Sequence, residues 1–362
     1  MKRFLALLLC ALLLTACVPT LAEETITVTD HVGNEVTVPR DIQRIVVCDI
    51  YPLPSVLSVF FDSAAKIVGM AGPSMSAAKN SLLGQLNPEI LSAETGFING
   101  TEVNVEELLK LNPDVVFYSS GSTEEGELLK KAGFNAIAIS ASKWDYDCIE
   151  TLKQWFALLG QLFPENDLTQ VVSQRSDEIY ELVQGRVGAL TDAERARAFF
   201  LFQYSDSSIL TAGEHFFGQW WCDAIGAINV AREMPGNNAQ KVNLEQVYGW
   251  NPDLIFITNF TPATPNDLFT NAIGSDDWSG IAAVENQRVF KTPLGMYRSY
   301  TPGVDTPITL LWLAKTAYPA LFEDIDVTAE AVRYYQDVFG ITLTAEQVQT
   351  IFAPVAAAAS GF

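Results

Sequence analysis

The sequence predicts an α/β fold in which two Rossmann-like lobes, each with a parallel-rich central sheet, are joined by one long α-helix and enclose a cleft. Three observations predict it: a repeated helix–turn–strand segment, apolar runs that alternate with helical stretches, and one long amphipathic stretch between the two halves. The chain of 362 residues is long enough for two cores. The expected divisions are a leader (1–22), a first lobe (25–163), a connecting helix (164–190) and a second lobe (191–352).

The repeat pairs residues 103–118 (VNVEELLKLNPDVVFY) with residues 242–257 (VNLEQVYGWNPDLIFI). Asn104 and Asn243 precede the two helical stretches, and the Glu or Gln three residues later predicts a capping box in each. The proline of each Asn-Pro-Asp ends the helix, and the apolar run after it is typical of a strand buried on both faces of a parallel sheet. Two matching copies indicate two homologous lobes.

The other elements fit this division. Residues 25–39 alternate apolar and polar side chains around Gly33-Asn34, which predicts a hairpin. Apolar runs predict strands at 44–49, 136–140, 198–204 and 288–292. Residues 168–186 carry an apolar stripe at helical spacing, between Pro164 and Gly188, which predicts the stiff helix between the lobes.

The first residues are typical of an export signal. Met1-Lys2-Arg3 is basic, and Phe4 to Ala16 is apolar but too short to span a bilayer. Leu14 to Cys17 fits a lipobox, in which Cys17 becomes a lipid-modified N-terminus; the alternative is cleavage after Ala22. We therefore expect an exported protein in the periplasm or on the outer face of the cytoplasmic membrane, anchored there if Cys17 is lipidated.

Charge and cysteine content exclude several classes of function. Lys and Arg total 22 against 43 Asp and Glu, a net charge of −21, which repels phosphate backbones and opposes nucleic-acid binding. Cys48, Cys148 and Cys222 are far apart and lie in apolar contexts, as buried small hydrophobes do. They indicate neither a metal cluster nor a cofactor site.

The expected binding site lies beyond the carboxyl ends of the strands, where two facing lobes present their loops to one cleft. These loops are rich in aromatic and hydroxyl side chains with one Arg and one Lys, which suits a bulky, partly apolar ligand. The candidate ligand-binding residues are Tyr51, Pro54, Ser120, Lys143, Trp144, Tyr204, Phe260, Tyr297 and Arg298.

Catalytic signals are few. His31 falls in the hairpin turn and His215 at the start of a helix, so both are interpreted as structural or surface groups. The sequence carries no nucleophile elbow, zinc-protease helix or phosphate-binding loop, and so predicts no catalytic residue.

Several segments together resemble the iron-complex and cobalamin class of ABC-transporter substrate-binding proteins, from about residue 25 to residue 350. The matching segments are the entry hairpin (27–39), Arg44-Ile45-Val46-Val47, both Asn-Pro-Asp repeats, Ala224 to Asn229, and Pro302 to Pro319. In the segment 224–229, Ala227 replaces the second of the family's paired glycines.

The resemblance implies a binding protein, not an enzyme, that acts as a monomer and delivers a ferric siderophore to a permease and its ATPase. Haem and cobalamin or another corrinoid are alternative ligands in the same class. The resemblance also implies one acidic residue on each lobe that docks to arginines of the permease: Glu124 or Glu125 in the first lobe and Asp267 in the second. An extracellular enzyme or a surface adhesion module on the same fold are the alternatives outside transport.

Overall fold

The computed structural model describes residues 24–100 and 102–359, and the predicted two-lobed α/β fold is confirmed. The leader and the lipobox at Cys17 lie outside the described residues. In the described part of the chain, no helix is both long and apolar enough to cross a membrane.

Among its described residues, the first lobe contains eight strands and six α-helices. Its strands are β1 (Thr25–Thr29), β2 (Glu35–Pro39), β3 (Ile45–Val47), β4 (Ile67–Met70), β5 (Ile98–Asn99), β6 (Glu102–Val103), β7 (Val115–Ser119) and β8 (Ala136–Ile139). Its helices are α1 (Leu53–Phe61), α2 (Gly72–Asn80), α3 (Leu82–Leu86), α4 (Val105–Lys110), α5 (Thr123–Lys131) and α6 (Cys148–Leu162).

The central sheet of the first lobe is parallel, in the order β4-β3-β7-β8. Val46 lies opposite Val116 in the register, and Val116 lies opposite Ala136. All three side chains are buried, as the unbroken apolar runs predicted for strands covered on both faces. β1 and β2 form the predicted antiparallel hairpin.

The connecting helix α7 (Thr169–Val187) begins one residue after the predicted start. It buries Val172, Ile179 and Val183 along one stripe and packs against α6 and a long helix of the second lobe. The stripe therefore packs the connecting helix against both lobes.

The second lobe contains six strands and seven α-helices. Its strands are β9 (Arg197–Ser205), β10 (Ser208–Ala212), β11 (Ile228–Asn229), β12 (Ala239–Val242), β13 (Leu254–Ile257) and β14 (Val289–Lys291). Its helices are α8 (Phe217–Ala224), α9 (Leu244–Trp250), α10 (Pro265–Phe269), α11 (Ala282–Glu285), α12 (Thr306–Ala317), α13 (Val327–Phe339) and α14 (Ala345–Phe352), followed by a 3-10 turn at Ala356–Ala359.

The sheet of the second lobe is mixed, in the order β12-β10-β9-β13-β14, with β11 also paired to β9. β9, β13 and β14 are parallel, whereas β10 runs antiparallel to both β9 and β12. The second lobe therefore repeats the parallel core of the first and adds an antiparallel edge.

The two copies of the repeat cap their helices differently. Asn243 and Gln246 form the complete predicted capping box at the start of α9. Asn104 caps α4, but Glu107 accepts a hydrogen bond from Lys110 at 2.7 Å, so the predicted second half of that box is wrong. An exposed lysine three residues along the helix competes for the glutamate.

The aspartate of each Asn-Pro-Asp accepts a hydrogen bond at the start of the first strand of the central sheet in its own lobe. Asp114 Oδ2 accepts a hydrogen bond from the backbone N–H of Arg44, just before β3, at 2.8 Å. Asp253 Oδ2 accepts one from the backbone N–H of Arg197, the first residue of β9, at 3.2 Å. The repeated motif therefore has the same structural role in both lobes.

Candidate functional site

Helix α6 of the first lobe packs on α12 of the second. Around the cleft, the lobes also touch at two regions that lie at opposite edges of their sheets. At one edge, the segments that follow β4 in the first lobe meet the loop that follows β14 in the second. The backbone N–H of Leu82 donates to the carbonyl of Gly295 at 3.2 Å, and Ser81 Oγ donates to the carbonyl of Met296 at 3.0 Å. We call this set of contacts the seam.

At the other edge, the loop after β8 meets the segments next to β10 and β12. Tyr146 Oη donates to the carbonyl of Asn237 at 2.6 Å. The Tyr146 ring also lies 5.8 Å from the Phe216 ring and 5.0 Å from the Phe217 ring. We call this contact the latch. Between seam and latch, the strand order leaves the loops after β3 and β7 in one lobe and after β9 and β13 in the other.

A cavity of about 520 Å³ lies on the first-lobe side of the cleft, at the carboxyl ends of β3, β4 and β7. It is lined by Asp49, Tyr51, Ala71, Gly72, Pro73, Thr95, Gly96, Ile98, Gly100, Ser122 and Glu125. Its size and its convergent polar groups are those of a small-molecule site.

Asp49 is fixed in this cavity by the turn after β7. Its carboxylate accepts hydrogen bonds from the backbone N–H of Ser119, at 2.5 Å, and from Ser122 Oγ. Both donors hold the Asp49 carboxylate in one orientation in the cavity wall.

Glu125 is the second carboxyl group of the cavity. Burial, followed by repulsion from Asp49, raises its pKa to about 7, against a usual value of 4.5. Its Oε1 atom is buried and accepts no hydrogen bond from the residues that the structure describes. Near neutral pH this wall therefore carries one fixed charge and one carboxyl group that exchanges a proton.

The second-lobe wall is aromatic. The Phe202 ring lies 4.9 Å from Phe260, 5.6 Å from Phe216 and 5.5 Å from Tyr300. Phe202 and Phe216 are only half-buried, so this cluster offers ring surface to the cleft. Such a surface favours apolar or planar parts of a ligand.

Lys291 holds the loop that carries Phe260. Its Nζ donates to the carbonyls of Thr258, Thr261 and Ala263 at 2.8, 2.6 and 2.8 Å. These three acceptors use all three N–H groups of the ammonium, so Lys291 holds the backbone of this loop in place.

Tyr51 and Tyr297 place two phenolic hydroxyls where the lobes approach each other. Tyr51 is half-buried and lines the first-lobe cavity, whereas Tyr297 is buried. Burial raises the pKa of both groups above 10, and negative charge on Asp49 raises that of Tyr51 further. Both hydroxyls are therefore neutral at physiological pH.

Arg298 is buried completely, with no exposed side-chain area. Its guanidinium lies 5.3 Å from the Phe260 ring and 5.4 Å from the Tyr297 ring, and Nε donates to the carbonyl of Ala358 at 2.8 Å. Arg298 is therefore withdrawn from solvent, and the 356–359 turn accepts one of its N–H groups.

Lys143 and Trp144, also predicted to bind ligand, contact the entry hairpin. Lys143 is exposed and donates from Nζ to the carbonyl of His31 at 2.9 Å, and the Trp144 ring lies 5.0 Å from the His31 ring. Burial lowers the pKa of His31 to about 4. His215 is exposed, with a side-chain accessibility of 65%.

The other predicted ligand residues lie apart from the cavity. Pro54 is buried in the first turn of α1, and Ser120 is half-buried. Tyr204 is buried in a separate core, where its hydroxyl accepts a hydrogen bond from Trp278 Nε1 at 2.9 Å and lies 3.1 Å from the carbonyl of Ile273. The site expected from the sequence is therefore brought together only in part.

The candidate docking residues differ in exposure. Glu124 is exposed at the start of α5, whereas the neighbouring Glu125 turns into the first-lobe cavity. Asp267 is half-buried and accepts hydrogen bonds from the backbone N–H and the hydroxyl of Thr264, both at 2.7 Å, in a capping box.

Sequence reasoning missed Phe202 and Tyr146 as site residues. Phe202 had a usable signal, since it lies in the predicted first strand of the second lobe, near the end that faces the cleft. Tyr146 had none, because its partners belong to the other lobe. Among the described residues, no cluster of three or more His, Cys, Asp or Glu could hold a metal ion.

Comparisons with known proteins agree with this architecture. The molybdate-binding protein MolA of Haemophilus influenzae is 27% identical over 353 residues, covering 91% of this chain and 95% of MolA. A periplasmic solute binding protein from Veillonella parvula has a similar structure, with a TM-score of 0.79, 28% identity and coverage of 91% of this chain and 97% of that one. Helicobacter pylori CeuE with Ni(II) bound shares the fold, with a TM-score of 0.71, 20% identity and coverage of 90% and 99%.

Residues 67–294 match the family described as periplasmic binding protein. This stretch spans most of both lobes, including β4 to β14 and the connecting helix. Members of this family are exported proteins that bind a small ligand for transport. The chain therefore belongs to the periplasmic binding protein family, and it is a substrate-binding protein of an ABC transporter.

Proposed function

We propose that the chain captures an organic complex of a metal, of the ferric siderophore type, and delivers it to its permease. The observation that carries this proposal is the contrast between the two walls of the cleft. Phe202 and Phe260 offer aromatic surface on one side. Tyr51, Ser122 and Glu125 offer hydroxyl and carboxyl groups on the other.

A metal chelate with an organic ligand suits both walls. Its apolar or conjugated surface stacks on the aromatic cluster, and its hydroxyl or amide N–H groups donate hydrogen bonds to the carboxyl groups. Haem and corrinoids share the large conjugated surface and are variants of the same proposal. For haem, the phenolic oxygen of Tyr51 or Tyr297 would be the axial ligand of the iron.

Molybdate is a second candidate, because MolA is described as a molybdate-binding protein. The first-lobe cavity favours it less, since Asp49 repels a dianion and Arg298 is covered. A molybdate site here requires protonation of Glu125 or exposure of Arg298.

Equilibrium binding separates these candidates. The chain without residues 1–22 is titrated with ferric catecholate and hydroxamate complexes, haemin, cobalamin, molybdate and sulfate, and binding is followed by absorbance and calorimetry. Phe202→Ala is expected to weaken binding of a metal chelate about 5- to 50-fold through lost stacking. Phe269→Ala, at an exposed phenylalanine on α10, is the matched control.

The possible outcomes differ clearly. Saturable one-to-one binding of a chelate, with loss in Phe202→Ala alone, supports the proposal. Saturable binding of molybdate that Phe202→Ala leaves unchanged replaces it with the second candidate. Conversion of any of these compounds, or an empty cleft in a chain that binds another protein, supports the enzyme or the adhesion module instead.

The exposure of Glu124 supports it as the first-lobe docking residue for arginines of the permease, with Asp267 as its second-lobe counterpart. Glu124→Lys is expected to abolish ligand delivery to permease-containing vesicles without changing ligand affinity. Glu127→Lys, at another exposed acidic residue of α5, is the control. Equal loss in both variants indicates only a general charge effect.

Lipid attachment at Cys17 completes the proposal as a membrane anchor for a monomeric binding protein. Mass spectrometry of the exported protein checks it. A mature chain that begins at Cys17 and carries acyl groups supports the anchor, whereas a chain that begins at Glu23 indicates a released protein.

A further inference from the structure

The two ends of the cleft are closed with unequal strength. The seam is made by two hydrogen bonds, from Ser81 and Leu82, and is reinforced where the 356–359 turn packs on α2 and bonds to Arg298. The latch is made by Tyr146 and by the neighbouring Asp147, which accepts a side-chain hydrogen bond from Trp220, without support from a packed turn. The latch is therefore the end that separates first when the lobes move apart.

The latch also stores backbone strain. Asp145 and Tyr146 have φ angles of +51° and +62°, a left-handed conformation that is unfavourable for residues with a Cβ. These two residues carry the Tyr146 side chain that contacts the second lobe. Release of the Tyr146 contacts lets this loop relax, which lowers the cost of opening.

The latch also adjoins the aromatic wall. Phe216 contacts both Tyr146 and Phe202, at ring distances of 5.8 and 5.6 Å. Separation of Tyr146 from Phe216 therefore uncovers the edge of the cluster that the proposed ligand stacks on. The opening leads directly to the middle of the cleft.

We propose that Tyr146 controls ligand exchange, because rupture of its contacts with Asn237, Phe216 and Phe217 opens the cleft at the β8 and β12 edge and admits ligand there. The proposal rests on the proposed function only in taking the cleft as the ligand site. The seam acts as the fixed end during this movement.

Hydrogen exchange measured by mass spectrometry tests the proposal without any ligand. The variants are Tyr146→Phe, which loses only the hydroxyl, and Tyr248→Phe as the matched control. Tyr248 Oη also donates to a backbone carbonyl at 2.6 Å, that of Asp277, but both residues belong to the second lobe and lie outside the cleft. Both variants are first checked for unchanged melting temperature within a few degrees.

Tyr146→Phe is expected to speed amide exchange about 3- to 10-fold, because the loss of one hydrogen bond raises the population of molecules with an open cleft by about that factor. The increase must include residues 260–263 in the middle of the cleft, and it must be absent at the seam and in Tyr248→Phe. An increase confined to residues 144–147 and 235–239 indicates local fraying and overturns the proposal, as does no increase at all. Because no ligand is present, these outcomes do not depend on the identity of the transported compound.

Discussion

The guanidinium of Arg298 donates a hydrogen bond from Nε to the backbone carbonyl of Ala358 over 2.8 Å, and both residues are fully buried. This bond joins a loop of the second lobe to a turn that packs on helix α2 of the first lobe. The arginine that the sequence offered as a ligand contact thus joins the lobes in this structure.

Replacement of Arg298 by Ala is expected to lower the free energy of unfolding by about 2–4 kcal/mol. It removes a charged hydrogen-bond donor and the contacts with two aromatic rings. Urea unfolding followed by circular dichroism measures the change. Arg40→Ala, which breaks an exposed ion pair with Glu165 at 3.6 Å, is expected to cost less than about 0.5 kcal/mol. Equal effects in the two variants contradict the role given to Arg298.

The raised pKa of Glu125 predicts a pH-dependent stability. Because the folded state binds the proton more tightly than the unfolded chain, the contribution of Glu125 to stability falls as pH rises from about 4.5 to about 7. Glu125→Gln cannot ionise. Its free energy of unfolding relative to the wild type is expected to rise by about 1–2 kcal/mol between pH 5 and pH 8, a value reduced for partial solvent exposure.

Urea titrations at pH 5, 6, 7 and 8 measure this difference. Glu124→Gln, one residue earlier but exposed, is the control and is expected to follow the wild-type profile. Parallel profiles for Glu125→Gln and the wild type would show that Glu125 titrates normally.

Lys291→Met is expected to destabilise the second lobe by about 2–4 kcal/mol, because it leaves the carbonyls of Thr258, Thr261 and Ala263 without their shared donor. The loop that carries Phe260 loosens at the same time, so affinity for the transported ligand also falls. Thermal melting and the binding titration measure the two effects. Lys110→Met, which removes an exposed helix-surface pair with Glu107, should change neither quantity.

The two Asn-Pro-Asp aspartates are expected to stabilise their lobes in the same way, but Asp114 is expected to contribute more to the free energy of unfolding than Asp253. Asp114→Ala loses two acceptor contacts, to the backbone N–H groups of Gln43 and Arg44 at 2.7 and 2.8 Å, whereas Asp253→Ala loses a longer one. We expect costs of about 2–3 and 1 kcal/mol in urea unfolding. A larger cost for Asp253→Ala contradicts this ranking, and Asp192→Ala, at an exposed site, is the control.

The strands and helices that could be predicted are those whose signal lies in a short stretch of sequence. The apolar runs at β7 and β13 indicated buried parallel strands, and the stripe on α7 indicated the connecting helix, because each signal lies within a few consecutive residues. The family resemblance could likewise be recognised, since it depends on the order of short motifs. These features are confirmed.

Contacts between distant segments could not be predicted in this way. Arg298 donates a hydrogen bond to Ala358, sixty residues later in the chain, and Tyr146 donates one to Asn237 in the other lobe. Tyr204 was expected in the cleft because it ends a strand, but Trp278 and Ile273 hold its hydroxyl in another core. Such partners follow from tertiary packing, which no single stretch of sequence reveals.

The contact between the 356–359 turn and helix α2 constrains the order in which the chain folds. Helix α2 begins at Gly72, and the turn that packs on it lies nearly three hundred residues later in the chain. The packing of the first lobe is therefore complete only after this turn has been synthesised. During passage across the membrane, the first lobe emerges before this partner is available. Until the whole chain has crossed, the surface of α2 that this turn covers stays open to solvent.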